Sequence, residues 1–105
     1  MRLVATRHAV DGGFIPFAAE FDSPGVTIGR CPGNALVLPV ETDSMSRLQA
    51  IVKVNGDDCY LVNMSGMTDV RVNGRRIQPL HQVRLDGGDE IDIGPYTLRS
   101  EGCGA

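Results

Sequence analysis

The stretch VRVNGRRI, residues 70–77, places an Asn-Gly pair between two short runs in which apolar and polar residues alternate. Asn73 and Gly74 are residue types that accept the positive φ angles of a two-residue turn. This pattern is the strongest short signal for a β-hairpin, and the φ angle that the turn requires explains Asn73. The stretch therefore predicts two antiparallel strands joined at Asn73 and Gly74.

The rest of the chain repeats this organisation. Turn signals rich in Gly, Pro, Asn and Asp recur at short intervals and leave little room for helices. The runs between them are rich in β-branched or alternating apolar residues: RLVATRH, FIPFAAEF, VTIG, ALVL, AIVKV, CYLVN, VRV, VRL, EIDIG and YTLRS. In EIDIG, Ile91 and Ile93 should face inward, with Glu90 and Asp92 outward. We therefore predict an all-β sandwich or barrel.

Length and charge limit the classes of function. A chain of 105 residues is expected to form one domain with one core. Its formal net charge of -3 argues against binding nucleic acid by bulk attraction. No apolar segment approaches a membrane span, and charged residues interrupt the N-terminal run before it reaches signal-peptide length. We expect a cytoplasmic protein with no membrane insertion.

The residues that carry most catalytic and metal chemistry are scattered. Cys31, Cys59 and Cys103 are too few and too far apart for a disulfide framework or a zinc site. His8 and His81 have no serine, cysteine or acid at motif spacing. The sequence therefore predicts neither an enzyme nor a bound cofactor or metal.

Arginines stand at several loop positions. Arg30 follows VTIG, Arg47 precedes AIVKV, and Arg75 and Arg76 follow the Asn-Gly turn. Arginine is suited to forked hydrogen bonding of phosphate or carboxylate. In SMSRLQAIV, residues 44–52, hydroxyls and a guanidinium precede a run that reads as a buried strand from Leu48 onward. This stretch is either a solvated loop end or an anion site.

The order of these pieces resembles a known family. VTIGR, CPGN, LVL, MSRLQA, YLVNMS, VNGRRI and VRLDGGDEIDIG follow one another as in a forkhead-associated (FHA) domain, from Val26 to Arg99. The resemblance implies an FHA-like sandwich of about eleven short, mostly antiparallel strands over residues 1–100. Loops at one end of that sandwich would bind phosphothreonine peptides. Residues 101–105 would be a frayed tail or the start of a linker to a missing C-terminal region.

The resemblance also assigns phosphopeptide-binding residues. Gly29 and Arg30 match the family's Gly-Arg pair, whose arginine helps to grip the phosphopeptide. Ser46, rather than Ser44, matches the serine that hydrogen-bonds the phosphate, and Arg47 matches an adjacent position that often contacts it. Cationic forks and hydroxyl donors suit a phosphate carrying a charge of about -1.5 to -2. Without the family, Arg30 could instead be a surface residue paired with an acidic neighbour.

Four positions depart from the family pattern or surround the site. Gln49 replaces a histidine that braces the loops, and an amide can both donate and accept hydrogen bonds. Thr68 stands where an asparagine clamps the ligand backbone, and Asp69 stands where glycine is usual. At about 8 Å and an effective dielectric of about 20, Asp69 would repel each unit of phosphate charge by about 2 kcal/mol. Met67 and Asp69 are also expected near the flanks of the peptide.

Other polar residues have more than one interpretation. Arg75 and Arg76 are expected to be solvated, and if they face the binding loops they would select acidic residues beyond the phosphothreonine, with Arg75 as a flank contact. Asn34 in CPGN is expected to bond within its own turn. We expect Gly29, Asn34, Gln49, Asn73 and Gly74 to be structural.

The resulting functional hypothesis is a phosphothreonine-peptide-binding signalling or scaffold module. The chain is similar to the N-terminal FHA domains of bacterial type VI secretion-associated proteins, which implies regulation of secretion assembly downstream of a Ser/Thr kinase. The partner would be a threonine-phosphorylated protein or a secretion-apparatus subunit. The alternative is a phospho-independent docking module with a degenerate phosphate site, in which Met45, Met64 and Met67 supply adaptable apolar contacts.

Overall fold

The computed structural model describes residues 2–8, 14–20, 25–38, 45–55, 58–94 and 96–101. These ranges contain eleven strands that follow the predicted runs. They are β1 (Arg2–His8), β2 (Phe14–Glu20), β3 (Gly25–Gly29), β4 (Leu36–Val37), β5 (Ala50–Asn55), β6 (Asp58–Asn63), β7 (Val70–Val72), β8 (Arg75–Arg76), β9 (Gln82–Leu85), β10 (Glu90–Ile93) and β11 (Tyr96–Glu101).

The strands form two sheets. One has the order β2-β1-β11-β10-β7-β8, and the other has the order β4-β3-β5-β6-β9. The pairing is antiparallel throughout except between β3 and β4, which run parallel. The predicted all-β sandwich is therefore confirmed. In the described part of the chain, no helix is long and apolar enough to cross a membrane.

The core lies between the sheets and follows the period of two that a strand imposes. Ile91 and Ile93 on β10 are fully buried, as the alternation in EIDIG predicts, while Glu90 is exposed and Asp92 is half-buried. The fully buried apolar side chains also include Ile28, Leu38, Val52, Leu61, Val70, Leu85 and Leu98. The binary pattern is thus sufficient to set which face of each of these strands points inward.

The VRVNGRRI hairpin is present as predicted. Asn73 and Gly74 have φ angles of 51° and 83°, and Val72 pairs with Arg75 across the turn. The side chain of Asn73 also bonds the next turn, because its Nδ2 donates to an Asp89 carboxylate oxygen at 3.0 Å and its Oδ1 accepts from the Glu90 N–H at 2.9 Å. Asn73 therefore has a second role beyond the turn's φ angle.

The strand expected from Leu48 begins later. β5 starts at Ala50, and its pairing with β3 ends at the partners Ile28 and Ala50. Leu48 is half-buried in irregular backbone, whereas Gln49 is fully buried. The prediction of a strand from Leu48 was wrong because the Gln49 side chain points into the protein and makes loop contacts there. Cys31 and Cys59 are free thiols, and Cys103 lies outside the described residues.

Candidate functional site

Three loops meet at one end of the sandwich: β3–β4, β4–β5 and β6–β7. The Arg30 N–H donates to the Ser46 carbonyl at 3.3 Å, which joins the first loop to the second. The Met64 N–H donates to the Gln49 carbonyl at 2.9 Å, which joins the second loop to the third. The fold therefore brings Arg30, at the end of β3, to Ser46 and Arg47, which are neighbours on the β4–β5 loop.

Gly29 is required by the close approach of two backbones. A Cβ atom at this position would lie 2.1 Å from the carbonyl oxygen of Arg47, closer than any side chain allows. Asn34 stabilises the same crossing, because its Nδ2 donates both to the Cys31 carbonyl in its own turn and to the Arg47 carbonyl. The absent side chain of Gly29 thus lets the Arg47 backbone pack against the end of β3.

The two arginines of the site have different environments. Arg30 is half-buried, and its Nε donates to the Met45 carbonyl at 2.8 Å, which fixes the guanidinium against the β4–β5 loop. Arg47 is exposed, and its guanidinium makes no ion pair with any residue in the described ranges. The end of the sandwich where the three loops meet, called the loop end below, therefore combines an anchored guanidinium with a solvated one.

Ser46 lies between two buried side chains. Met45 before it and Gln49 after it are both fully buried, and an ideal Cβ at Gly94 would lie 3.6 Å from the Met45 methyl group. The expectation that Met45 offers an apolar contact to a docking partner was wrong, because this side chain fills the core at the end of the sandwich. Its burial instead anchors the chain immediately before the Ser46 hydroxyl.

Gln49 connects the loops through its buried side-chain amide. Its Oε1 accepts from the Ser46 N–H at 3.2 Å. Its Nε2 donates to Asn63 Oδ1 at 3.0 Å and to the Ser65 carbonyl at 2.7 Å. The Asn63 Nδ2 then donates to the Ile77 carbonyl at 2.9 Å. An amide thus braces these loops, and its donor and acceptor are both used, as burial of a polar group requires.

Ser65 belongs to the site although no function was predicted for it. The Ser46 hydroxyl donates to Ser65 Oγ at 2.5 Å, and the Met67 N–H donates to the same oxygen at 3.1 Å. The single hydrogen of the Ser46 hydroxyl can serve either Ser65 Oγ or the Met67 sulfur at 3.5 Å, so the two hydroxyls form a hydrogen-bonded pair in which either can donate. A hydroxyl that accepts from the N–H two residues later is typical of a serine turn, so Ser-Gly after the β6 run was the available signal.

The β6–β7 loop places Met67 beside Ser46 and Thr68 beside Gly94. Thr68 Oγ1 lies beside Gly94, 3.3 Å from an ideal Cβ there, and the side chain makes no hydrogen bond within the described ranges. Met67 is 55% exposed, and its sulfur lies 3.5 Å from Ser46 Oγ. Met67 therefore borders Ser46, whereas Thr68 faces the β10–β11 turn.

The charge of Asp69 has cationic partners. Its carboxylate lies 3.5 Å from an Arg71 guanidinium nitrogen and 3.4 Å from Arg76 Nε. Arg71 and Arg76 are paired neighbours on β7 and β8, so the sheet holds both beside Asp69. The repulsion calculated above for an isolated carboxylate is therefore an overestimate, and Arg76 is exposed but ion-paired.

Arg75 lies elsewhere. It borders a cavity of about 310 Å³ beside the Asn73–Gly74 turn, together with Arg84, Asp86 and Asp89, and that turn is at the far end of β7 from Asp69. The structure therefore does not bring Arg75 together with Arg30 and Ser46. No cluster of metal-ligand residues is present in the part of the chain that the structure describes.

Comparisons with known proteins agree with this architecture. The model of the FHA domain family matches residues 26–94. The structure is similar to Mycobacterium tuberculosis EmbR, solved with a low affinity phosphopeptide, at 26% identity and a TM-score of 0.66. That match covers 97% of this chain and 25% of EmbR, so the chain spans about a quarter of that relative. No curated protein sequence matches the chain.

Two more solved structures share the fold at lower identity. The FHA domain of the CT664 protein from Chlamydia trachomatis is 22% identical with a TM-score of 0.68, over 94% of this chain and 95% of that one. The N-terminal FHA domain of S. cerevisiae Rad53p, in complex with a phosphothreonine peptide, is 16% identical with a TM-score of 0.67. The second match covers 94% of this chain and 91% of that one.

Proposed function

The chain belongs to the FHA domain family, and from this premise we propose that it binds protein segments that carry a phosphorylated threonine. FHA domains are phosphopeptide-binding modules and generally not enzymes. The observation that carries the proposal is the convergence of Arg30, Ser46 and Arg47 on one loop end. There, the hydroxyls of Ser46 and Ser65 form a hydrogen-bonded pair. The guanidinium of Arg30 is anchored beside them, and that of Arg47 is paired with no carboxylate in the described ranges.

In this proposal the phosphate lies over the Ser46 and Ser65 hydroxyls. Both hydroxyls donate to the phosphate once the hydrogen bond between Ser46 and Ser65 is released. Arg30 and Arg47 supply charge, and each charge-assisted bond contributes about 1.5–3 kcal/mol before screening. Two or three such bonds with flanking contacts give about 8 kcal/mol, which corresponds to a micromolar Kd.

Ser65 compensates for the departure at Thr68. Because threonine has no amide, the peptide backbone loses the clamp that an asparagine would provide, and Thr68 contacts the ligand through its hydroxyl and methyl groups at most. The extra hydroxyl of Ser65 replaces part of that lost affinity at the phosphate. The Asp69 charge, paired with Arg71 and Arg76, opposes binding only weakly.

The experiment is calorimetry with a randomised phosphothreonine peptide library and with the same library unphosphorylated. We expect micromolar binding of the phosphorylated library alone, and loss of that binding in Arg30→Ala. Absence of binding to both libraries contradicts the proposal.

We further propose that the module acts in the cytoplasm, downstream of a Ser/Thr kinase, in assembling a type VI secretion apparatus. This finer role rests on the likeness of the N-terminal and hairpin sequences to secretion-associated FHA domains. Its test is a pull-down of secretion-apparatus subunits from cells with active and inactive kinase. Capture that requires both the active kinase and Arg30 supports the role.

A second candidate function is phospho-independent docking at the same loop end. The observation in its favour is that the exposed Met67 side chain borders the Ser46 hydroxyl, so an apolar partner surface could cover it. This candidate would be favoured if a subunit is captured equally well before and after phosphatase treatment, and equally well by the wild type and Arg30→Ala.

A further inference from the structure

Two large apolar side chains are exposed in the described part of the chain, and both lie at the loop end that carries Ser46. Met67 is 55% exposed and Leu80 is 72% exposed. Met67 borders Ser46 through its sulfur. The Leu80 N–H donates to the Asn63 carbonyl at 2.6 Å, which holds Leu80 where β6 ends and the β6–β7 loop begins.

Pro79, which directly precedes Leu80, lies beside the residue that directly precedes Met67. A Cβ at Gly66 would lie 3.2 Å from Pro79 Cγ, so the proline ring packs against the backbone directly before Met67. Pro79 is itself exposed. We call Met67, Pro79 and Leu80 the apolar shelf, and it continues outward from the Ser46 hydroxyl.

The conformation of Leu80 is unfavourable for its residue type. The His81 N–H donates to the Gln78 carbonyl at 3.1 Å, and Leu80 has a φ angle of 66°. With proline at the second position and a positive φ at the third, this is the pattern of a type II turn, in which glycine or asparagine is usual at the third position. A branched apolar side chain at positive φ is strained.

Folding does not account for this leucine. Its side chain is mostly in solvent, so burial provides little to offset the strain. Strained residues that packing does not explain are concentrated at binding sites. Leu80 is therefore a candidate contact for a ligand.

Resting on the proposed function, we propose that the apolar shelf binds an aliphatic side chain of the phosphopeptide itself, and that Leu80 makes the domain select such peptides. The shelf continues directly from the phosphate site, so one extended peptide can reach both. Gln78, His81 and Gln82, the exposed residues next to Pro79 and Leu80 along the chain, include no carboxylate, lysine or arginine. Asp69, two residues after Met67, is ion-paired with Arg71 and Arg76. The flanking preference is therefore aliphatic rather than the acidic preference that Arg75 would have conferred.

Leu80→Gly separates ligand contact from folding. Glycine adopts the positive φ more easily than leucine, so the variant should fold at least as stably as the wild type. Leu80→Met keeps an apolar side chain at the same position and serves as the matched control. The probes are phosphothreonine peptides in which each flanking position is varied among Leu, Ala, Asp and Lys.

We expect the wild type and Leu80→Met to prefer Leu at one flanking position by about tenfold over Ala. Leu80→Gly should lose this preference, bind the Ala peptide unchanged and keep its Tm.

Two results would contradict peptide binding by the apolar shelf and leave the proposed function standing. They are phosphopeptide binding with no aliphatic preference, and an aliphatic preference that survives Leu80→Gly. Binding of no phosphopeptide overturns both the shelf and the proposed function. Concentration-dependent self-association that Leu80→Gly abolishes would assign the shelf to a second copy of the chain instead.

Discussion

The backbone N–H of Ser46 donates to the side-chain Oε1 of Gln49 at 3.2 Å, so a fully buried amide holds the residue expected to bind phosphate. The same amide donates to Asn63 and to the Ser65 carbonyl. Because one side chain fixes both hydroxyl-bearing loops, the distance between Ser46 and Ser65 is set before any ligand arrives. A preorganised site of this kind reduces the ordering cost of binding.

Replacing Gln49 should therefore reduce stability and binding together. In Gln49→Met, a similar shape replaces the amide, and Ser46, Asn63 and Ser65 each lose a hydrogen bond, which costs about 2–4 kcal/mol. Urea unfolding measures the loss. Gln82→Met, an exposed position on β9, is the control and should change stability by less than about 0.5 kcal/mol. Equal effects of the two substitutions would refute the bracing role.

Gly29 should not tolerate a side chain. A methyl group there would lie 2.1 Å from the Arg47 carbonyl, so Gly29→Ala must push the β4–β5 loop away from β3. We expect a loss of about 3 kcal/mol in the free energy of unfolding. Gly33→Ala in the neighbouring loop meets no atom within 4 Å and should be close to neutral. Similar melting temperatures for both variants would contradict the close approach.

Arg47 should contribute to phosphopeptide binding through long-range attraction. Since its guanidinium is exposed, Arg47→Ala should weaken binding about fivefold at low salt and much less at about 0.5 M salt. Arg75→Ala removes an equal charge beside a different cavity and should have little effect at either salt concentration. A salt-independent loss, or equal losses in the two variants, would be inconsistent with this role.

Asp69 should oppose phosphate binding only slightly. An isolated carboxylate at about 8 Å would cost about 2 kcal/mol per phosphate charge, so its removal would raise affinity about thirtyfold. Because Arg71 and Arg76 partner the carboxylate, we expect Asp69→Asn to raise affinity by less than about threefold. Fluorescence polarisation with one phosphopeptide measures the ratio, and a gain of tenfold or more would show that the two arginines do not neutralise Asp69.

The local sequence pattern predicted the strands and the hairpin, because the alternation of apolar and polar residues and the Asn-Gly turn each depend on only a few consecutive residues. Contacts between distant segments were not predictable in this way. The contact between Ser46 and Ser65 depends on the β5–β6 register, in which Ala50 pairs with Asn63. The partners of Asp69 depend on the pairing of Arg71 with Arg76. Burial of Met45 likewise depends on how the sheets close at the loop end.

Arg75 shows that adjacency in the sequence does not predict a shared environment. Its position beside Arg76 in the sequence suggested a common environment, but neighbouring residues on a strand point to opposite faces. Arg76 therefore reaches Asp69 near the loop end, whereas Arg75 borders the cavity by the hairpin turn. Arg75, which would select acidic flanks only if it faced the binding loops, is therefore directed away from them.

The central claim, that Ser46, Arg47 and Ser65 form a phosphate site, is tested most directly by NMR titration of the ¹⁵N-labelled chain with a phosphothreonine library. The account predicts that the amides of Ser46, Arg47, Ser65 and Met67 shift with the phosphorylated library and stay in place with the unphosphorylated one. Shifts that are the same for both libraries, or confined to other surfaces, would contradict it.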